Sequence, residues 1–176
     1  TTDATLTGNT TTTGGDGVAP ANKNVLQSST NNAVSAFTLV TYAGADTLTS
    51  ITVTRTGTGV DADVAASGVK LWDDSTGTTP NEWDASDTQL GAGATFAAGT
   101  ATIGGLSAAI STSAKQYLIT YNIAAGASNG VTLLGALTTA VVSNTLVNND
   151  TTDATLTVNT TTTVGDGVAP ANKNVL

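Results

Sequence analysis

Seven carboxylates, Asp61, Asp63, Asp73, Asp74, Glu82, Asp84 and Asp87, are concentrated in the stretch DADVAASGVKLWDDSTGTTPNEWDASDTQLG, where Gly, Pro, Ser and Asn mark turns. Hard oxygen donors held in loops are what Ca2+ takes as ligands. Like charges gathered by folding repel until a cation sits among them. The candidate calcium ligands are Asp61, Asp73, Asp74, Asp84 and Asp87. Ser75, Thr76, Gly77 and Thr78 follow Asp74 in place of alternating Asp or Asn, so EF-hand spacing is not met and a solvated acidic loop is the competing reading. Trp72 and Trp83 bracket this loop. Aromatic faces beside carboxylates are one way to grip a polysaccharide; closure of a core edge and a subunit contact are the alternatives weighed against it.

Other chemistry is excluded or unsupported. The chain has no Cys and no His, which removes disulfides, zinc centres and imidazole catalysis. Five basic residues stand against thirteen acidic ones, for a net charge of -8, and a nucleic-acid backbone would be repelled. The glycine pairs in TGGDG and IGG lack a following Lys-Ser or Lys-Thr, so they read as turns and not as phosphate loops. Ser113 and Lys115 could in principle form a dyad, but nothing singles them out, and the expected protein is not an enzyme. Lys115 is the one candidate for a Lys–Asn crosslink, and Asn9, Asn149 and Asn159 are candidate glycosylation sites in Asn-x-Thr sequons.

The elements that would position these residues are strands. Period-2 alternation dominates: AVSAFTLVT, ITVTRTG, GVKLWDD, GATFAAG, TATIGGL and KQYLITYNIA each place apolar residues on one face. VTLLGALTTAVVSNTLV reads as two strands with a bend near Gly135. Frequent turn signals between them predict an all-β, antiparallel sandwich of about seven to nine strands. No apolar run is long enough to cross a bilayer. A Thr-, Ala-, Gly- and Asn-rich chain with no disulfides points to the outside of a prokaryotic cell, and the absence of Met even at position 1 points to excision from something longer.

The strongest signal is a repeat. Residues 1–26 and 151–176 match at 24 of 26 positions, differing only where Val158 stands for Gly8 and Val164 for Gly14, and the copies are offset by 150 residues. That is about one domain. In the second copy Ala154, Leu156 and Val158 share one face, opposite Thr155, Thr157 and Asn159; Ala4 and Leu6 are the first copy's counterparts. These five apolar residues are the expected inter-unit contacts. The expected division is a closing or donor strand plus connector over 1–19, a sandwich over 20–163, and the start of the next unit over 164–176. Partners would be copies of the same chain, head to tail, by tandem linkage or donor-strand exchange.

Residues 33–145, and above all TLTSITVTRTGTGVDADVAASGVKLWDDSTGTTPNEWDASDTQLGAGATFAAGTATIGG, resemble the Ig-like repeats of large secreted bacterial and archaeal surface proteins. In those repeats a strand ending in a GTG turn leads to an aspartate, a VKLY-D strand, an acidic loop and an LG…F…G hairpin. The resemblance implies an Ig-like spacer domain. It also implies a calcium motif after the VKLY-D strand, where this chain has Thr and Gly at the ligand positions. A structural subunit of an extracellular filament, stalk or surface layer is therefore expected, with an adhesive or carbohydrate-binding surface module as the alternative.

Overall fold

The computed structural model describes residues 10–75, 79–150 and 153–160. Within them lie twelve strands: β1 (Thr11–Asp16), β2 (Lys23–Leu26), β3 (Asn32–Thr41), β4 (Asp46–Thr56), β5 (Val64–Asp73), β6 (Thr88–Ala94), β7 (Thr100–Ile103), β8 (Ala108–Ile110), β9 (Lys115–Ile123), β10 (Thr132–Val142), β11 (Thr145–Asn148) and β12 (Leu156–Asn159). One sheet has the order β11-β1-β3-β9-β5-β6, and the other β2-β12-β10-β4-β7, with β8 also paired to β4. The two sheets face each other as a sandwich. No helix among the described residues is long and apolar enough to cross a membrane.

Alternation sets the core. Ile51 and Val53 of β4 point inward while Thr52 and Thr54 lie on the outer face, where Thr52 Oγ1 meets Thr102 Oγ1 at 3.0 Å. From the facing sheet, Phe37 stacks on Tyr117 with ring centroids 5.3 Å apart, and Phe96 meets Tyr121 edge-on at 5.4 Å. β9 is buried on both faces, since Leu118 joins Ala33, Ala36 and Trp72 in a small second cluster on the outside of its sheet.

Several expectations are corrected. The strand count exceeds nine because β2, β7, β8, β11 and β12 are three or four residues long, too short to show a period. Two pairings are parallel, β1 with β11 and β2 with β12, and both involve the repeated segments. Alternation tells which face a strand buries but not which direction its partner runs. The GATFAAG strand stops at Ala94, leaving Phe96 in the turn that follows.

Gly135 makes no bend. β10 runs through it unbroken, and the chain turns instead at Ser143–Asn144, before β11. The glycine is required by close approach: a Cβ there would lie 2.5 Å from Tyr121 Oη and 3.1 Å from Cζ. Tyr121 is fully buried and its hydroxyl donates to Leu134 O at 3.4 Å, so it has nowhere to go. Gly135→Ala is expected to cost about 1–3 kcal/mol by overpacking. Chemical denaturation in the Tyr121→Phe background should show a smaller cost, because the atom in closest conflict is gone.

Candidate functional site

The second copy of the repeat forms a seam in the sandwich. β12 lies between β10 on one side and β2, from the first copy, on the other. Hydrogen bonds hold it on both edges: Val158 N donates to Val131 O (3.0 Å) and Gly130 N to Val158 O (2.7 Å), while Lys23 N and Gln27 N donate to the carbonyls of Thr155 and Asn159 (3.1 Å each). Upstream, Ala154 N donates to Val34 O (3.1 Å) and the Asp153 carboxylate accepts from Ala36 N (2.6 Å). Residues 153–154 thus dock on β3 just past the point where β1 leaves it at Gly17, then cross to the other sheet.

The alternation read from the sequence is the one observed, but its burial is internal. Ala154 is 1% exposed, and Leu156 and Val158 0%, all within this chain's own sandwich and not in a neighbour's. The reason is local: β10 offers an open edge beside β12, and β2 returns from the first copy to cover the other. Ala4, Leu6 and Asn9 lie outside the described residues. β12 ends at Asn159, and TTTGGD of the first copy is a separate strand, β1, in the opposite sheet. The expected boundary at residue 20 accordingly falls between two strands of the same sandwich.

Chain direction places the two ends of residues 11–160 at opposite poles. β1 starts beside the turn at residues 42–45, with Tyr42 N donating to Thr11 O (3.2 Å). β12 runs antiparallel to β10 toward the turn at residues 124–131, where Thr160 N donates to Asn129 Oδ1 (3.0 Å). The antiparallel pairing of β3 with β9 sets those two turns at opposite ends of the sheet. Strands of ten and eleven residues separate them, a span of roughly 35 Å at about 3.3 Å per residue.

Two carboxylates anchor the repeated segments, Asp153 within the second copy and Asp46 on Thr12 of the first. Burial raises the Asp153 carboxyl, against the pull of the Ala36 amide, and the charge of Asp16 pushes it further up. At the entry pole Asp46 is buried. Its Oδ2 accepts from Thr12 Oγ1 (2.6 Å), and its Oδ1 from Thr47 N (2.8 Å), Asn144 N (3.1 Å) and Asn144 Nδ2 (3.1 Å). Burial works upward on this carboxyl, but the bonds from Thr12, Thr47 and Asn144 leave it below its ordinary value.

Of the candidate calcium ligands, Asp61 stands apart from Asp73, Asp74, Asp84 and Asp87. Asp61 sits at the exit pole, held by Arg55 (3.0 Å) and by Gly99 N (3.0 Å), a full β5 strand away from Asp73. Asp73 pairs with Lys115 at 2.6 Å. Asp74 Oδ2 accepts from Gln116 Nε2 (2.5 Å) and Asn81 N (3.1 Å), and Asp84 from Thr79 N (3.3 Å) and Ser86 N (2.8 Å). Asp87 accepts from Asp84 N at 2.9 Å; burial raises its carboxyl against that bond, and Asp74, Asp84 and Asp73 add repulsion. One oxygen each of Asp74 (2% exposed) and Asp87 (8%) lacks a hydrogen-bond partner. Among the described residues, however, no group of three or more acidic side chains is placed to hold a metal ion. These carboxylates close turns and accept from cationic or N–H donors.

Trp72 and Trp83 have a structural setting. Trp72 Nε1 donates to Thr120 Oγ1 (2.8 Å), and Trp83 packs edge-on against it at 5.6 Å. The acidic loop is tied to the link between β1 and β2 by Asn81 Nδ2 to Ala19 O (3.1 Å) and by a Lys23–Glu82 ion pair (2.9 Å). Trp72 closes the outer cluster, leaving only Trp83, 38% exposed, with much free ring surface. Lys115, engaged by Asp73, also lies over the Tyr117 ring, whose hydroxyl is pushed up to about 12 by burial and by Asp73. Of the sequons, Asn149 is exposed and Asn159 half-buried in β12. Comparison with known proteins matches the chain to no protein-family model and to no curated protein.

Sequence reasoning missed Asp46 and β2. Asp46 stands alone in AGADTLTS, a turn signal, and its partners are remote in sequence. KNVL is too short for a period, although its Val25 is buried against the seam.

Proposed function

We propose that residues 11–160 are one complete unit of a head-to-tail array of Ig-like sandwiches, serving as a structural element of an extracellular filament, stalk or surface layer. The observation that carries this reading is the match between fold and repeat. The offset between copies is 150 residues, the sandwich uses residues 11–160, and its two ends emerge at opposite poles. In this phase residues 161–176 repeat the sequence of residues 11–26, the segment that carries β1 and β2 of this unit. Thr160 is then followed at once by the equivalent of Thr11, with no linker between sandwiches.

This geometry suits tension. Pulling the poles apart draws β1 backward along β3 and β11, and β12 forward along β10 and β2. Bonds perpendicular to the pull are loaded together and resist as a set. A chain without Cys obtains its strength from pairing and burial instead of disulfides. The net charge of -8 keeps neighbouring strings apart in solution. Negative-stain microscopy of the native assembly is expected to show unbranched rods of constant width with an axial repeat of about 40 Å, from strand length plus turns. Separate, flexibly linked beads would contradict it.

A further inference from the structure

We propose that the groove between β2 and β10 is a strand-recognition site, selective for the Val-bearing copy of the repeated segment and against the Gly-bearing copy. The proposal deepens the head-to-tail reading by naming what decides which strand closes which unit. Residues 1–10 and 151–160 differ at one position only, Gly8 against Val158. Every backbone bond of the seam, and the contacts of Asp153, Ala154 and Leu156, are therefore open to either copy. Discrimination falls on a single side chain.

That side chain is fully buried in the main core. Glycine in its place empties the site and loosens the strand, weakening its hold by roughly 10- to 100-fold. The second difference acts in the same direction at the other slot. Residues 11–26 and 161–176 differ only at Gly14 against Val164, and Gly14 lies buried in β1. A Cβ there would stand 2.9 Å from Asn148 Oδ1 and 3.5 Å from Asn148 Cα. Asn148 is not idle: its Oδ1 accepts from Asp150 N (3.2 Å) and its Nδ2 donates to Leu137 O (3.4 Å). The first copy fits the β1 slot and the second fits the β12 slot, so this unit closes on its own C-terminal strand. The partner implied for residues 1–10 is a sandwich of the same fold whose groove is filled in opposite Gly8. The partner for residues 161–176 has more room beside its first strand.

The test uses the full chain carrying Val158→Gly, refolded with a fluorescent peptide TTDATLTVNT or TTDATLTGNT at about millimolar concentration, because a tethered strand competes at an effective concentration of that order. Gel filtration is expected to show the Val peptide retained at least ~10-fold more than the Gly peptide. Equal retention, or none of the Val peptide, overturns the proposal. Should Val158→Gly fail to fold, Gly8→Val in an otherwise intact chain gives two equal strands. Light scattering should then find a larger, concentration-dependent multimer fraction than in the unaltered chain, and an unchanged fraction overturns the proposal. Equal retention would leave the collinear geometry intact, whereas a compact pair of units would leave the strand selectivity intact, so the two failures are distinguishable.

Discussion

Truncation after Asp150 is expected to abolish the folded monomer. It removes β12 and the two residues docked on β3, which together bury Ala154, Leu156 and Val158. Their side chains contribute about 4–6 kcal/mol of burial, to be set against a total stability of about 5–15 kcal/mol for a domain. The loss is compounded at the edges. β10 is left with unpaired N–H and C=O groups, and β2 loses its only strand neighbour among the described residues. Circular dichroism and light scattering should find an unfolded or aggregating chain. A soluble truncated monomer with the native melting profile would show that the seam does not complete the core.

Asp46→Ala is the largest single-residue effect expected. The carboxylate gathers Thr12 of β1, the start of β4 and Asn144 between β10 and β11, so it ties both sheets together at the entry pole. Alanine strands four donors, among them the fully buried Thr12 hydroxyl, at a cost of about 3–5 kcal/mol. The pH dependence has a definite sign. Because the folded-state carboxyl lies below its ordinary value of 3.8, its stabilisation is fully present above that value. It is lost as pH falls through the lower folded-state value. Urea titrations should find a constant gap between the two proteins at neutral pH that narrows only below about pH 4. A gap that widens on acidification would contradict the assignment.

Much of the fold could be read in advance because β3, β4, β5, β9 and β10 are long enough to show a period, and their inward residues are the ones alternation selects. The apolar face of the second copy was legible for the same reason. What covers that face was not. Burial by the same chain and burial by a neighbour make the same demand on Ala154, Leu156 and Val158, and only the parallel return of KNVL distinguishes them. Gly135 was misread because a bend and a close approach both call for glycine, and Tyr121 is remote in sequence. The separation of Asp61 from the rest of the acidic stretch was hidden for a related reason. Asp61 and Asp73 flank one strand, and a strand of ten residues carries its two ends to opposite poles.

The central claim is that residues 11–160 form a closed unit whose ends leave in opposite directions with no linker. The most direct measurement is small-angle X-ray scattering on residues 1–160 followed without interruption by residues 11–176, compared with the single chain. The second unit should lengthen the maximum dimension by about 40 Å, one sandwich length, while the cross-sectional radius stays constant. A thicker particle of nearly unchanged length would mean that the units fold back side by side, and would contradict the account.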